Sequence, residues 1–371
     1  MNEAKEENVI IGFAGAIREA YGIDILLDIA NEEDICLKLA GKIVSNELDR
    51  RINDDKLTKN GKLKYVGFIP SSQLESFYSD VNVGVIPYRN IMNSYYGIPT
   101  KLLEYMKYGI PVISVDFPLY KEIIEDAKCG ILVHDDVKKE IVEAIGYFKS
   151  HPEEAKRLGE NGRLAIEKKY NWNIEKKKLF AAYNSLSGDN RKILHIGYSH
   201  PKDDMRIVQK ECKSLTEEGY DVTYVTHNEA GGENCSVKII SLKNKNDSIM
   251  VNYFINKGLR DEYMSIIEEL RPDIIHIHEY GISYLVGIIK KKYPSIKVIY
   301  DVHEDNENFE YESDMKKYGK FFAKVLCKLR GRKEKEAWKM SDAVITVTSF
   351  LFDRIKKYND NVYDVRNYPI V

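Results

Sequence analysis

Residues 93–118, NSYYGIPTKLLEYMKYGIPVISVDFP, form a predicted loop, short helix and strand. Pro99 disfavours helical backbone at the residue before it, and Thr100 is a good N-cap, so a helix is predicted over residues 101–106. Gly109 is placed to end that helix in the left-handed conformation. The apolar run PVISV then predicts a buried strand.

The start of this helix is suited to bind an anion. Unbonded N–H groups at a helix N-terminus and the helix dipole both favour negative charge. Glu104 lies one turn into the helix and can accept hydrogen bonds from sugar hydroxyls. The sequence therefore predicts a ligand site where this loop meets the helix.

On both sides of this stretch, strands alternate with helices. The predicted strands are residues 9–14, 35–40, 63–66, 81–86, 111–115, 130–133, 192–197, 221–226, 237–242, 273–278, 297–301, 343–348 and 362–366. Such alternation indicates an α/β fold with doubly wound parallel sheets. A short polar stretch divides it, so we predict domains over residues 1–186 and 192–371, joined by a linker at 187–191.

Composition fits a globular protein of two domains. The 371 residues carry a net charge of −2, so no overall field favours nucleic acid as a partner. No apolar run reaches the length of a membrane span, and the polar start MNEAKEEN is unlike a signal peptide. Five cysteines without paired spacing are typical of reduced thiols. The sequence therefore predicts a cytoplasmic protein.

The run PTKLLEYMKYGIPVIS resembles the donor-binding signature of nucleotide-sugar glycosyltransferases with the GT-B fold, of the retaining group 1, family 4-like type. The resemblance implies two Rossmann-like domains that face a cleft. It implies that Thr100, Lys101 and Leu102 lie by the donor phosphates and that Glu104 binds the ribose hydroxyls. Many family members carry an acid eight residues before this Glu, where the present chain has Tyr96.

The order of the two halves differs from that family. The first half resembles the family's C-terminal, donor-binding domain, whereas the second opens with KILHIGYSHPKDDMR, which resembles the usual chain start. The final DVRNYPIV resembles the linker between the domains. The resemblance therefore implies a circular permutation, with a domain-swapped dimer and two unrelated half-enzymes in one chain as alternatives.

The permutation makes two predictions about packing. The helix at residues 173–186 should pack on the second domain, with Leu179 and Tyr183 as contacts. Val371 should lie near the residues around Asn8, where relatives have a continuous chain.

The loop that begins at Gly15 resembles the family's phosphate loop. Arg18 is its only cation, and a guanidinium can clamp a diphosphate. The alternative is a surface arginine that pairs with Glu19 or Glu33.

Two further loops resemble those that hold the nucleotide base. They begin at Gly41 and at Gly67, and the backbone of Phe68 or Ile69 would contact the base edge. An ordinary turn remains the alternative at Gly41, because the position of the family's partner glycine holds Ile43.

In the second half, PDIIHIHEYG resembles the family's D-x-x-H-x-H-E motif. Strand alternation places His276 and His278 on one face, with His278 at the strand end. By resemblance, His278 lies against the donor sugar and phosphate. His276 is interpreted as a core histidine with satisfied hydrogen bonds.

Two segments are assigned to the acceptor side. His303, Glu304 and Asp305 belong to the YDVHED loop, and they can bind acceptor hydroxyls or a divalent ion, although their spacing does not predict a metal site. Asp204 and Arg206 resemble the family's D-x-R-I at the first helix, from which Arg206 would reach a phosphate or an acceptor.

A basic helix is predicted over residues 315–340. An apolar stripe runs along it, made of Phe321, Phe322, Val325, Leu326 and Leu329. Such a helix can lie on an anionic membrane. The alternative is a stripe that faces the core while the basic side faces solvent.

The predicted function is glycosyl transfer from a UDP- or GDP-sugar to a hydroxyl of a glycan or lipid-linked acceptor, without a further cofactor. Arg18, Lys101 and the helix start at Thr100 would stabilise the leaving diphosphate, and His278 would position the sugar. The predicted location is cytoplasmic, with the inner face of the membrane as a variant. Two alternatives remain: another GT-B enzyme such as a sugar-nucleotide epimerase, and a non-catalytic nucleotide-sugar-binding or partner subunit, which Ala16, Tyr21 and Tyr96 would favour.

Overall fold

The computed structural model describes residues 9–97, 100–186, 188, 192–227, 237–242, 257–304 and 311–371. The chain forms two compact units. Unit 1 runs to Asn171 and includes Val371, and unit 2 is Trp172–Ile370. None of the described helices is long and apolar enough to cross a membrane.

The sheet of unit 1 is parallel throughout its described strands. These are β1 Val9–Ala14, β2 Ile35–Ala40, β3 Leu63–Tyr65, β4 Gly84–Ile86, β5 Val112–Val115 and β6 Gly130–Val133. Strands β1, β2 and β3 pair in sequence, as do β4, β5 and β6. A parallel bridge between Ile11 and Val83 joins the two sets, which gives the order 3-2-1-4-5-6. This is the Rossmann strand order, with its topological switch point between β1 and β4.

Helices cover the connections of this sheet. They are α1 Ile23–Glu32, α2 Asn46–Ile52, α3 Asp55–Lys59, α4 Leu74–Tyr78, α5 Met92–Tyr96, α6 Thr100–Lys107, α7 Pro118–Ala127, α8 Val137–Ser150 and α9 Pro152–Lys168. Helix α6 is the one predicted at 101–106, and Gly109 follows it with φ 68°, as predicted.

Unit 2 has a seven-stranded parallel sheet. Its strands are β7 Lys192–Ile196, β8 Asp221–Thr226, β9 Lys238–Ser241, β10 Ile274–His278, β11 Lys297–Val302, β12 Ala343–Thr346 and β13 Val362–Asp364. The order is β13-β12-β11-β10-β7-β8-β9, so the switch point lies between β7 and β10. The predicted α/β class with parallel sheets is confirmed in both halves.

Helices of unit 2 lie on both faces of this sheet, where two separate hydrophobic clusters bury its apolar side chains. The α-helices are α10 Trp172–Asn184, α11 Lys213–Glu217, α12 Lys257–Leu270, α13 Leu285–Lys292, α14 Tyr311–Tyr318, α15 Lys320–Met340 and α16 Ser349–Ile355. A π-helix, Ile207–Cys212, leads directly into α11. π-Helical turns are rare and frequently mark functional sites.

Helix α10 packs on the sheet of unit 2, as the sequence predicted for residues 173–186. Leu179 and Tyr183 are buried in one cluster with side chains of β7 and β12. Trp172 donates from its indole to Ser214 Oγ at 2.8 Å and from its backbone to the carbonyl of Pro369 at 2.8 Å. The unit boundary therefore precedes this helix. Asn8, near which Val371 was predicted to lie, is outside the described residues.

The basic helix departs from its prediction in two ways. It is divided at Gly319, whose φ of 82° ends α14 and begins α15. Its buried face is formed by Ala323, Cys327, Glu334, Ala337 and Trp338. The stripe is instead turned outward, with Phe321 75% and Phe322 61% exposed. The alternative that this stripe faces the core is therefore wrong: in the same turns of the helix, the smaller Ala323 and Cys327 occupy the buried side.

Candidate functional site

The carboxyl edge of the unit 1 sheet brings three glycine loops into contact. Gly15 donates to the carbonyl of Ala40 at 2.8 Å, and Gly41 donates to the carbonyl of Gly67 at 2.7 Å. Gly41 has φ 131°, and a Cβ there would clash with the carbonyl oxygen of Gly15. Only glycine allows this approach, so the loops after β1, β2 and β3 form one continuous backbone rim.

Beside this rim lies a charged pair from α6. Lys101 Nζ donates to Glu104 Oε2, and Tyr78 donates its hydroxyl proton to the same oxygen at 3.0 Å. The Lys101 side chain also packs 3.3 Å from the position that a Cβ on Gly15 would take. Both charged side chains are mostly buried, with 11% and 22% exposed. A cation and a carboxylate are therefore fixed at the switch point of the sheet.

The other residues assigned to α6 differ in accessibility. Thr100 is exposed at the first residue of the helix, whereas the Leu102 side chain is fully buried. Any contact of Leu102 with a ligand would therefore have to come from its backbone.

Arg18 lies in the loop after β1 with one nitrogen unused. Its Nε is buried and has no hydrogen-bond partner among the described residues. Its guanidinium carbon stands 5.0 Å from the centre of the Tyr21 ring, which stacks on Tyr88 at 4.5 Å. Glu19 instead accepts a hydrogen bond from Ser45. The described part of the chain thus contains no ion pair of Arg18 with Glu19 or with Glu33, the two partners that the alternative named.

The base-side residues lie at the end of the same rim. Phe68 is 80% exposed next to Gly67, and Ile69 is half-buried. Tyr65 stabilises the rim by donating its hydroxyl proton to the carbonyl of Gly41 at 2.8 Å. The backbone groups of Phe68 and Ile69, which the sequence assigned to base recognition, therefore lie at the end of this rim, and their contact with a base stays a prediction.

A hollow of about 1300 Å³ opens at the opposite edge of this sheet. Its lining includes Val9, Cys36 and Pro111, at or near the amino ends of their strands. Ligands of doubly wound sheets bind at the carboxyl ends. The hollow is therefore not the site that the fold favours.

In unit 2, three histidine rings and a tyrosine meet inside the sheet edge. His276 and His278 point to one face of β10, and His195 of β7 lies beside them. The Tyr183 hydroxyl is 3.1 Å from His195 Nε2 and 2.8 Å from His276 Nδ1. His195 Nδ1 is 2.9 Å from His278 Nε2. We call these four side chains the buried histidine cluster.

None of the rings in the buried histidine cluster is accessible, because all three are 0% exposed. Burial lowers the pKa of His278 to about 4, partly offset by Asp301, and lowers those of His195 and His276 well below the usual value. The rings are therefore neutral at physiological pH.

A buried ion pair lies next to the buried histidine cluster, beside His278. Asp301 of β11 accepts from Arg206 Nε and Nη2 at 3.0–3.1 Å, and Arg206 Nη1 also donates to the carbonyl of Val365. Burial opposes ionisation of Asp301, but the charge of Arg206 holds its pKa well below the usual range. Glu211 lies 3.1 Å from Arg206 Nε, and burial raises the pKa of its carboxyl.

The accessible rim of this site is formed by His303 and His200. His303 Nε2 lies 2.9 Å from Asp301 Oδ2, and its side chain is 18% exposed. His200 Nδ1 lies 3.0 Å from Asp204 Oδ2. Burial lowers the pKa of His200, but Asp204 and Glu279 outweigh it and raise that pKa overall.

Glu279 and Asp204 organise the backbone at this rim. Glu279 Oε1 accepts from the backbone N–H groups of residues 198–200, and its φ of 78° is unusual for a residue other than glycine. Strained backbone of this kind clusters at functional sites. Asp204 Oδ1 accepts from the backbone N–H groups of Arg206 and Ile207.

Several residues occupy places other than those the resemblance implied. His278 is enclosed by other side chains instead of lining an open surface, and Arg206 is used internally by Asp301 and Val365 instead of reaching outward. Glu304 is exposed next to His303, and Asp305 is outside the described residues. His276 has one satisfied nitrogen, whereas its buried Nε2 has no hydrogen-bond partner among the described residues.

Sequence reasoning overlooked the roles of Tyr183, His195, His200, Glu279 and Asp301 at this site. One signal was present for His195: KILHIG places a polar histidine inside an apolar strand. The roles of Tyr183, His200, Glu279 and Asp301 depend on which strands are neighbours in the sheet, and a local sequence pattern does not reveal that.

Two groups of residues have donor atoms close enough to hold a metal ion. One is His195, Glu211, His276 and His278, and the other is His278, Asp301 and His303. In the first group, a zinc ion with bonds of about 2.0–2.1 Å would have to displace the hydrogen bond between His195 and His278. It would also stand close to the Arg206 guanidinium. The present contacts therefore favour a hydrogen-bonded network at this position.

Comparison with known proteins assigns each half to a glycosyltransferase model. Residues 2–165 match the family described as "Glycosyl transferases group 1", and residues 206–366 match "Glycosyltransferase Family 4".

Among curated relatives, an uncharacterized 41.2 kDa protein in the cps region of Klebsiella pneumoniae is 24% identical over 40% of this chain and 39% of its own length. The MMP alpha-(1->4)-mannosyltransferase of Mycolicibacterium hassiacum is 24% identical over 49% of this chain and 44% of its own length. The matches thus span less than half of each of these two relatives.

Among solved structures, Anabaena HepE in complex with UDP-glucose is 15% identical, with a TM-score of 0.42 over 48% of this chain and 49% of that one. Taken together, the two matches cover both halves of the chain: the first half is similar to group 1 glycosyltransferases and the second to glycosyltransferase family 4.

Proposed function

We propose that this protein transfers a sugar from a nucleotide diphosphate sugar, UDP- or GDP-linked, to a hydroxyl of a glycan or lipid-linked acceptor. The main support for this proposal is the Lys101–Glu104 pair beside the glycine rim of unit 1, inside the region that matches group 1 glycosyltransferases. A cation suits the diphosphate and a carboxylate suits the ribose hydroxyls, and both stand where doubly wound folds bind nucleotides.

The chemical step breaks the bond between the sugar C1 and the diphosphate oxygen and forms one between C1 and the acceptor oxygen. Negative charge develops on the diphosphate, so fixed donors aimed at it lower the barrier. Lys101, the unused Nε of Arg18 and the N–H groups at the start of α6 are the donors in this proposal. The leaving phosphate oxygen takes the acceptor's proton, which gives retention without a separate base.

Unit 2 supplies the acceptor side in this proposal. His303 and Glu304 are the accessible groups, and Asp305 follows them in sequence. His278 lies behind His303, and both rings face Asp301 Oδ2, so in this proposal His278 acts on His303 through the shared carboxylate.

The order of the domains is proposed to be a circular permutation of the family's usual order. It is supported by the order of the two family matches and by α10, which follows the group 1 match but packs in unit 2. Light scattering at low protein concentration tests this proposal. We expect a monomer, whereas a dimer that resists dilution would favour domain swapping.

Contact with the inner face of a membrane is proposed for α15. Phe321, Phe322, Val325 and Leu329 are exposed beside lysines of the same helix. Apolar and basic side chains on one accessible surface suit an anionic bilayer.

Thermal unfolding with UDP and with GDP, followed by transfer and hydrolysis assays on the matching sugars, tests the function. A raised melting temperature with one nucleotide and release of that diphosphate from its sugar are expected. Binding without turnover would favour a nucleotide-sugar-binding subunit, in line with Ala16, Tyr21 and Tyr96. An epimerised sugar nucleotide would favour the epimerase, and no binding to either nucleotide would overturn the proposal.

A further inference from the structure

The buried histidine cluster continues as an unbroken line of contacts to His303. The line runs from His276 through Tyr183, His195 and His278 to Asp301, which His303 also contacts. Five of these groups lie on strands or helices of the unit 2 core, and of the six only His303 reaches the surface. The proposed reaction uses only His303, at the outer end of this line. It does not explain what the buried residues of the line do.

Asp301 fixes the direction of the hydrogen bonds nearest to it. Arg206 holds this carboxylate at both oxygens, so Asp301 can only accept. His278 Nδ1 stands 3.4 Å from Asp301 Oδ2 and must carry the proton, because a lone pair there would face the carboxylate charge. His278 Nε2 is then left as an acceptor.

The same logic propagates inward, one ring at a time. His195 Nδ1 lies 2.9 Å from the accepting His278 Nε2 and must donate, which leaves His195 Nε2 as an acceptor. The Tyr183 hydroxyl, 3.1 Å away, is the group that donates to it. The Tyr183 oxygen in turn accepts from His276 Nδ1 at 2.8 Å. Every proton assignment in the line therefore follows from a single carboxylate.

We propose that Tyr183 is a positioning residue that completes this network: it donates to His195 Nε2 and accepts from His276 Nδ1, so that one directed chain of hydrogen bonds runs from His276 through α10 to Asp301. Tyr183 is suited to this because its hydroxyl accepts from one ring and donates to another. No other described group is recorded within hydrogen-bond distance of His195 Nε2.

The consequence for catalysis rests on the proposed function. Asp301 receives N–H groups from both His278 and His303, so His303 is held through Nε2 and keeps Nδ1 as the nitrogen not bound to Asp301. Helix α10 precedes β7 by only a few residues, yet through Tyr183 it would set the geometry of a ring that follows β11.

The test is a two-bond ¹H–¹⁵N correlation spectrum of the whole chain labelled at histidine, which separates the tautomers by their nitrogen shifts. We expect His195, His276 and His278 as Nδ1–H forms at neutral pH, although free histidine in water favours Nε2–H. Spectra of single glutamine variants assign the rings. An Nε2–H form of His195 or His278 in the wild-type protein would overturn the proposal, whether or not any variant folds.

Tyr183→Phe is the second arm, with Tyr220→Phe as its matched control. Tyr220 has its ring 5.9 Å from that of Tyr183 and contacts no histidine in the line. The Tyr183 variant should lose the Nδ1–H form at His276, because its Nδ1 then has no acceptor, whereas the control should keep it. An unchanged His276 in folded Tyr183→Phe would also overturn the proposal.

These spectra need no substrate, so they separate this inference from the proposed function. If the tautomers are as expected but no sugar is transferred, the positioning network stands and the proposed function fails. If transfer occurs, Tyr183→Phe should lower kcat at least tenfold while the affinity for the nucleotide stays within twofold of wild type.

Discussion

Arg206 and Asp301 form a two-point ion pair inside unit 2, with Nε and Nη2 of the guanidinium 3.0–3.1 Å from the carboxylate oxygens. The two side chains are 6% and 0% exposed. They come from the π-helix entrance and from β11, which are 95 residues apart in sequence. This pair therefore fixes the first helix of unit 2 against its central strands.

Arg206→Met should strongly destabilise unit 2. It leaves Asp301 buried without its counter-charge, and the expected loss is about 3–5 kcal/mol of unfolding free energy. Denaturant unfolding followed by tryptophan fluorescence measures it, because both tryptophans of the chain, Trp172 and Trp338, belong to unit 2. Arg332→Met is the control, since this side chain is 80% exposed and should contribute about 0–1 kcal/mol. Equal losses in the two variants would contradict this account of the pair.

The buried histidines predict that unit 2 loses stability as pH falls from about 6.5 to about 4. In the folded state burial lowers the pKa of His278 to about 4, whereas unfolded histidine titrates near 6.5. Within that window the unfolded chain binds a proton that the folded chain does not, so the unfolding free energy decreases as pH decreases. His278 alone accounts for about 3 kcal/mol of this change.

Fluorescence-detected unfolding at several pH values measures that decrease. His276→Gln should make the unfolding free energy depend less on pH, because it removes one of the rings that stay neutral in the folded state. His227→Gln should leave it unchanged, because His227 stacks on Tyr198 outside the buried histidine cluster. The same slope in both variants would show that the cluster is not its source.

Glu104→Gln should weaken nucleotide binding about tenfold or somewhat more, the effect of one lost charge-assisted hydrogen-bond pair. Its side chain is 22% exposed beside the glycine rim, so the fold should persist. Calorimetry with UDP and GDP measures the change. Glu125→Gln, 60% exposed on another helix of the same unit, serves as the control. If the Glu104 variant binds UDP and GDP as tightly as the wild-type protein, Glu104 does not bind the ribose hydroxyls.

His303→Gln should lower turnover far more than nucleotide affinity, because the proposed nucleotide site is built entirely from unit 1. The melting temperature should change little, since this ring reaches the surface. By contrast, His278→Ala should lower both turnover and stability, as it opens a cavity and leaves His195 Nδ1 without its acceptor. Steady-state kinetics with melting curves distinguish the two. Normal turnover in His303→Gln would exclude it from the reaction.

Replacing Phe321 and Phe322 together by serine should abolish binding to anionic lipid vesicles without unfolding the chain. Both rings are more than half exposed on α15. Vesicle sedimentation measures binding, and neutral vesicles should retain little protein because the lysines add electrostatic attraction only to anionic lipid. Phe68→Ser is the control, since this ring is 80% exposed in unit 1. If wild-type protein does not sediment with anionic vesicles, α15 is not a membrane contact.

The sequence by itself determined the strands and their parallel arrangement, and it predicted the sheet edge at which the donor is proposed to bind. Residues 9–14, 35–40, 130–133 and 221–226 are strands within the predicted bounds, because local hydrophobic runs and the glycines that follow them specify such segments. The helix that carries Lys101 and Glu104 was equally readable, since its N-terminal threonine and its C-terminal Gly109 are local signals.

Tertiary structure decided which polar groups are open and which are enclosed. His278 and Arg206 look like surface ligands in sequence, yet neighbouring strands and the entrance of the π-helix bury both. The stripe of α15 has a helical period that fits a core face, but Ala323 and Cys327 allow closer packing on the other side and leave Phe321 outside. Burial depends on what lies across the sheet or helix from a side chain, and contacts between residues distant in the chain decide that.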